Sequence, residues 1–428
     1  MKTHRLLGAL LAALSLSSAQ AEDVTVLRAA HLFDAVSGKL VSPGQIVVRG
    51  RKIESVGAAA VPAGAKVIDL GDATLLPGFI DAHVHLSAQM SDNFYRDFYN
   101  DVLRFPAEQA LYGANYAKAT LEAGFTSVRD VGSGDHIALG LRNAINAGII
   151  PGPRMLVANN PIGATAGHAD NAPYPPEKIA PSGPLQGVCN GADECRAAVR
   201  YQIKYGADVI KFMPSGGVLS LTDPVDVPEL TQEEMNAIVS EAHMWKRKVA
   251  AHCHGDRAAK MAIAAGADSI EHGSFLEDDT LQEMKKKHVF LVPTLYAGWW
   301  VGQRADSFPP VIADKARAAA AQMMGMFQRA ARIGVPVAFG TDAGVEPHGS
   351  NAKEFVLMTQ NGFGAAQSLM AGTANGAELL GVQDSVGTLQ AGKLADVVAV
   401  AGDVLAHIEA TAKPVLVMKE GMLVVGGK

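Results

Sequence analysis

Two histidines one residue apart, His83 and His85, close an apolar run that begins Leu76-Pro77-Gly78-Phe79-Ile80-Asp81-Ala82. On a strand, residues two apart face the same side. Both imidazoles then leave one strand end together and supply half of a divalent-metal site. The spacing recurs in His252-Cys253-His254. Cys253 points the other way on such a strand, which suits packing better than ligation. His272 in Ser-Ile-Glu-His-Gly and Asp342 in Gly-Thr-Asp-Ala-Gly add an imidazole and a carboxylate. Lys211 stands inside the apolar run Asp208–Met213. A buried ammonium is costly and loses its proton or finds a partner. A neutral amine can take up CO2, and the resulting carbamate has two anionic oxygens that can bridge two cations.

These residues need strands to hold them. From Leu76 the chain repeats strand, loop and helix. Strands are expected over 125–130, 154–159, 208–213, 248–254, 269–274, 289–295 and 335–342, after the one that carries His83. Helical patterns separate them, at 106–122, 136–147, 194–205, 232–245, 257–265, 278–286 and 312–333, and a last one runs over 364–380. Eight strands, each followed by a helix, make an α/β fold of the (β/α)8 TIM-like barrel kind over 76–381. Active sites of such barrels lie at the C-terminal strand ends, where the six residues fall. No Gly-rich dinucleotide or phosphate turn follows the first strand, which disfavours an open doubly wound sheet. Short strands flank the barrel, at 24–29, 45–49, 52–56 and 66–69, and again at 397–400, 415–419 and 422–425. Segments 22–75 and 382–428 are expected to join as one discontinuous small β-sandwich domain.

The 428 residues suit one large barrel with an accessory domain. With 48% hydrophobic and 19% charged residues the chain is globular, not disordered. A net charge of -6 without a Lys/Arg cluster argues against a nucleic-acid partner. Residues 1–21 read as a signal peptide: Lys2 and Arg5, an apolar run Leu6–Leu16, then Ala19-Gln20-Ala21. The apolar run is too short for a permanent membrane span. The expectation is a periplasmic or secreted protein with no membrane partner. Export permits disulfides, and the turn-rich Asn-Gly-Ala-Asp-Glu between Cys189 and Cys195 lets them pair.

The motifs Pro-Gly-Phe-Ile-Asp-Ala-His-Val-His, Val-Ile-Lys-Phe, Val-Ala-Ala-His-Cys-His-Gly, Ser-Ile-Glu-His-Gly and Gly-Thr-Asp-Ala-Gly together resemble the metal-dependent amidohydrolase superfamily. Gly372-Thr373-Ala374-Asn375-Gly376 and Gly387-Thr388-Leu389-Gln390-Ala391-Gly392 are similar to the same group. The nearest branch is the imidazolonepropionase-like one, with Xaa-Pro dipeptidases and amidohydrolases that degrade ochratoxin A. The resemblance implies two Zn2+ ions. His83, His85 and Asp342 would hold one, His252 and His272 the other, with carboxylated Lys211 as the bridge. Asp342 would move the proton, and His254 would face the substrate. The expected reaction is cleavage of the amide in an N-acyl amino acid or dipeptide with a hydrophobic C-terminal residue, ochratoxin A included. Xaa-Pro dipeptidase activity is one alternative. The other is a mononuclear cyclic-amide hydrolase or deaminase, which would not use Lys211. His168 follows the third strand in Thr-Ala-Gly-His-Ala-Asp, where relatives often carry Thr-Gly-Gly-His-Gly-Asp, and is a candidate substrate contact. Tyr296, Trp299 and Trp300 follow the seventh strand and are expected to form an aromatic wall. A small-molecule substrate and a homo-oligomer complete the expectation.

Overall fold

A computed structural model describes residues 23–427 apart from 58, 171 and 172. The expected leader, 1–21, lies outside the described residues. No described helix is long and apolar enough to cross a membrane.

The two ends of the described residues meet in the small domain. One sheet runs Lys52–Val56, Gly44–Arg49, Val24–Ala29, Lys66–Asp69. The other runs Met422–Val425, Leu416–Lys419, Val397–Ala401, Ala73–Pro77, His31–Asp34, Lys39–Val41. C-terminal Val397–Ala401 pairs antiparallel with Ala73–Pro77, residue for residue. Leu27, Ile46 and Val48 of the first sheet share a core with Leu75, Val397 and Leu416 of the second. The strands at 31–34, 39–41 and 73–77 were not anticipated from the sequence.

The large domain has an α/β fold of the TIM-barrel type. Phe79–Val84, Phe125–Asp130 and Arg154–Val157 form one parallel arc. Val209–Phe212, Lys248–Cys253, Ser269–His272 and Phe290–Val292 form another. Every residue of Phe79–Val84 is buried, as a strand covered on both faces must be. The arcs join where Asp208 N–H donates to the Val157 carbonyl at 2.8 Å and Ile162 bridges Phe212.

The expected eighth strand, 335–342, is a correction. It makes one isolated parallel bridge, Val337 to Leu291, with a second just past it, Ala343 to Val84. Pro336 has no N–H to offer a ladder, and Asp342 takes a left-handed φ of 71° that ends extended geometry. The segment still spans the gap between the arcs.

Helices cover the arcs with apolar faces, such as Ala258, Ala259, Ala262 and Ile263 of Asp256–Ala265. Their ends follow local chemistry. Thr231 accepts from Glu234 N–H, and Glu234 reaches back to Thr231 N–H, at the start of Gln232–Met244. Proline opens Pro106–Glu122 and Pro310–Ile333. Helices at Phe94–Leu103, Leu295–Gln303 and Lys353–Gln360 were not foreseen. The Cys189–Cys195 disulfide is present and ties the long loop to helix Ala192–Lys204. Cys253 is a buried free thiol in the core.

Candidate active site

One cavity of about 170 Å³ opens at the C-terminal strand ends. It gathers His83, His85, Lys211, His252, His272 and Asp342, together with His254 and His168. The strand register explains part of this. His252 pairs with Glu271 and Cys253 with His272, so the two histidine-bearing strands end level. His272 and Asp342 both have φ of 71°, which interrupts the strand alternation just where their side chains enter the cavity.

Asp81 fixes the two strand ends that carry His83 and Asp342. Its Oδ1 accepts from the N–H groups of His83 and Thr341, each at 3.1 Å. Its Oδ2 accepts from Thr341 Oγ1 at 2.7 Å and Asn351 Nδ2 at 2.8 Å. Gly340 permits this approach, because a Cβ there would fall 3.0 Å from His83 Cβ and 2.3 Å from Val292 Cγ1.

Each imidazole is aimed by its other nitrogen. His83 Nδ1–H donates to Glu271 Oε2 at 2.8 Å, and His85 Nδ1–H donates to the Gly132 carbonyl at 2.8 Å. Their Nε2 atoms lie 3.3 and 3.1 Å from Asp342 Oδ1. His272 Nδ1 pairs with Thr294 Oγ1 at 2.7 Å, and His254 Nδ1 with Ser274 Oγ at 2.9 Å. Such partners orient a ring and fix its tautomer. Glu271 is itself held by Arg129 at 2.8 Å and by Ser269.

Burial pushes the His252 and His272 pKa values well below the ordinary range, with help from neighbouring histidines, and pushes His254 to about 3. These rings are neutral at pH 7, so each offers a lone pair. Burial alone would raise the Asp342 carboxyl, but His83 and His85 hold it well below the usual range. Burial draws Lys211 down to about 8, against the pull of Glu271 and Asp342.

The donor set fits a divalent cation. His252 Nε2 is buried and has no hydrogen-bond partner. The ligand atoms of His252, His254 and His272 lie within 4.8 Å of one another, and so do those of His83, His272 and Asp342. His272 belongs to both groups, and His254 stands as near to His252 as a ligand would. Neutral imidazole with carboxylate is the chemistry of zinc and related metals.

The aromatic wall is a correction. Tyr296, Trp299 and Trp300 do not line the cavity. Tyr296 is buried, with its hydroxyl 3.0 Å from Lys353 Nζ, while Trp300 lies under the Arg304 guanidinium. The expected seventh strand stops at Val292, and Leu295–Gln303 is helical. Helical spacing turns Ala297, Gly298 and Val301 toward the cavity instead. Met213, Val218, Leu219, Ala316, Ala319 and Met323 extend this aliphatic surface.

His168 does reach the cavity. Its N–H donates to Glu229, and its Nδ1 pairs with Ser220 Oγ at 3.0 Å. His168 and Leu219 are shared with a larger outer cleft, bordered by Phe94, Phe98, Tyr174 and Leu185. Glu271, Arg129, Thr294 and Ser274 were not singled out from the sequence. The place of Glu271 beside His272 was the only available signal.

The amidohydrolase family model matches residues 74–424. Ochratoxinase of Aspergillus niger is 32% identical over 357 residues, covering 79% of this chain and 72% of that protein. The crystal structure of a Xaa-Pro dipeptidase with bound methionine in the active site superposes with a TM-score of 0.91 at 38% identity, covering 94% of this chain and 100% of that one. The crystal structure of A. niger ochratoxinase gives 0.84 at 29% identity, covering 95% and 96%. A strand-end cluster of neutral imidazoles, carboxylate and buried lysine, joined to these matches over most of its length, establishes that the chain belongs to the amidohydrolase family and is a hydrolase acting on amide bonds.

Proposed function

We propose that the protein is an exported, binuclear zinc hydrolase of N-acyl amino acids or dipeptides with a hydrophobic C-terminal residue, and that ochratoxin A is among its substrates. In this reading 1–21 is a signal peptide, 76–381 a (β/α)8 barrel, and 22–75 with 382–428 a composite β-sandwich domain. The active form is a homo-oligomer in the periplasm or outside the cell.

The observation that carries the reading is one cavity with two walls. Metal-ligating groups line one side and aliphatic side chains the other. A dry cavity of about 150 Å³ can hold a benzene-sized group. This one therefore accommodates one apolar amino-acid side chain beside the reacting centre. The outer cleft that shares His168 and Leu219 has room for a bulky acyl group. The similarity to ochratoxinase supports ochratoxin A as a candidate substrate.

The residues divide the work. His83, His85 and Asp342 would hold one metal, and His252 and His272 the other. Lys211, neutral above about pH 8, would add to CO2 through its Nζ with loss of a proton, and its carbamate would be the ligand shared by the two metals. When bound, the metals supply Lewis acidity and a water of lowered pKa. Asp342 accepts the proton of the attacking water and passes it to the leaving nitrogen as the C–N bond breaks. In this reading His254 meets the carbonyl oxygen and His168 the substrate carboxylate; both line the cavity.

The test is a panel of N-acyl-phenylalanine, N-acyl-methionine, their C-terminal amides, ochratoxin A and cyclic amides. Turnover of the free acids supports the reading; turnover of cyclic amides alone overturns it. Elemental analysis should find close to two zinc per chain, and one metal with full activity would favour the mononuclear alternative. Lys211→Ala should lose the bridge and most activity, with partial recovery in short-chain carboxylic acids. A second reading, Xaa-Pro dipeptidase, is favoured by the likeness to that enzyme's structure. Preference for Met-Pro over N-acyl-methionine would select it.

A further inference from the structure

The loop after the strand Val209–Phe212 folds its tip around a cation that comes from another element. Lys315, on the first turns of helix Pro310–Ile333, is buried. Its Nζ donates to the carbonyls of Gly217 at 2.6 Å, Ser220 at 2.7 Å and Asp223 at 3.0 Å. An ammonium has three protons, and three carbonyls consume them. The base of the loop closes without this lysine. Ser215 bridges Pro228, and Glu229 N–H donates to the Pro214 carbonyl at 2.8 Å.

What the ammonium holds is part of the cavity. Val218 and Leu219 lie between the first two gripped carbonyls and line the aliphatic side. They pack against Val301 and Ala316. The same helix adds Ala319 and Met323 to the lining. One cation therefore ties the loop wall to the helix wall. The grip also reaches His168, because Ser220 Oγ pairs with His168 Nδ1 at 3.0 Å. Gly217 makes room for that ring; a Cβ there would fall 2.1 Å from His168 Cε1.

We propose that Lys315 is a positioning residue that sets side-chain selectivity, by holding 217–223 where Val218 and Leu219 wall the cavity and Ser220 aims His168. The selectivity part rests on the amide-hydrolysis reading above. Methionine at 315 takes the ammonium from all three carbonyls and leaves Gly217 with only the Ser220 hydroxyl at 3.2 Å, so the tip opens to water. Arginine keeps charge and donors and recovers part of the grip.

The experiment has two readouts on the zinc-loaded full chain. Hydrogen exchange of Lys315→Met should rise about tenfold over 214–229, with the barrel strands unchanged. The kcat/KM ratio of N-acetylmethionine over N-acetylglycine should fall about tenfold, chiefly through KM. Lys315→Arg should recover part of both, and metal content should stay constant. Unchanged exchange over 214–229 overturns the clamp. Faster exchange with an unchanged ratio, or an equal fall in kcat on both substrates, overturns the selectivity role. If the wild type acts on neither amide, the functional reading fails, while exchange still decides the clamp. Should Lys315→Met not fold, Lys315→Gln is read the same way.

Discussion

Glu271 is the residue on which the first histidine depends. Its two oxygens serve two different donors, His83 Nδ1 and the Arg129 guanidinium. Burial would raise its carboxyl, yet Arg129 and His83 bring it down to about 2, so it stays a full acceptor. Glu271→Gln keeps the volume but turns one acceptor into a donor, facing either His83 or Arg129. Metal affinity should fall about 10–100-fold while the fold is retained. Competition with a chelator measures this; an unchanged affinity would show that His83 needs no such partner. This dependence was not legible in the sequence. His83, His85, Lys211 and His252 could be read because each is a reactive residue on or just past a strand, where backbone pattern places it, whereas His272 and Asp342 enter the cavity through a left-handed φ that no such pattern encodes. Glu271 meets Arg129 and His83 across 142 and 188 residues, and no local pattern encodes such a meeting.

At the scale of elements, the helix Leu295–Gln303 shows why the aromatic expectation failed. Tyr296, Trp299 and Trp300 follow so soon after strand Phe290–Val292 that they read as its loop. A helix presents residues three and four apart on one face, and here that face carries Ala297, Gly298 and Val301. Glu354 sets the helix start, accepting from Leu295 N–H at 3.0 Å and Tyr296 N–H at 2.7 Å. Burial pushes its pKa up to about 8, against those two bonds. The sign of the consequence is fixed. Between its ordinary value of 4.5 and about 8, the folded chain holds a proton that the unfolded chain has lost. Stability must fall as pH rises through that window. Glu354→Gln removes this term. The wild type should therefore lose ground against the variant between pH 5 and pH 8, as read from urea midpoints. A constant difference would mean that Glu354 is ionised in the folded state.

On the scale of the whole molecule, the barrel and the small domain are coupled through charge. Arg154, on barrel strand Arg154–Val157, donates to Asp396 Oδ2 at 2.8 Å and to Glu420 Oε1 at 2.6 Å. Both carboxylates belong to the C-terminal segment, and Glu420 N–H donates to Asp396 Oδ1. Arg51, from the N-terminal segment, reaches the same Glu420. The three are largely buried, with Arg154 and Glu420 each 18% exposed and Asp396 2%. Removing one partner of such a group strands the others. Arg154→Met should cost about 2–3 kcal/mol at pH 7, a discount on the fully buried case. Its pH dependence follows from Glu420. Burial raises that carboxyl, but Arg154 and Arg51 bring it below its ordinary 4.5. A depressed acid stabilises the folded state in full above its unfolded value, and the benefit disappears as pH falls through the folded value. The gap between wild type and Arg154→Met should be constant from pH 8 to about 5 and narrow below 4.5. Urea unfolding at pH 7 and pH 4 is the measurement. A gap that widens in acid would show that the coupling does not depend on the Glu420 carboxylate.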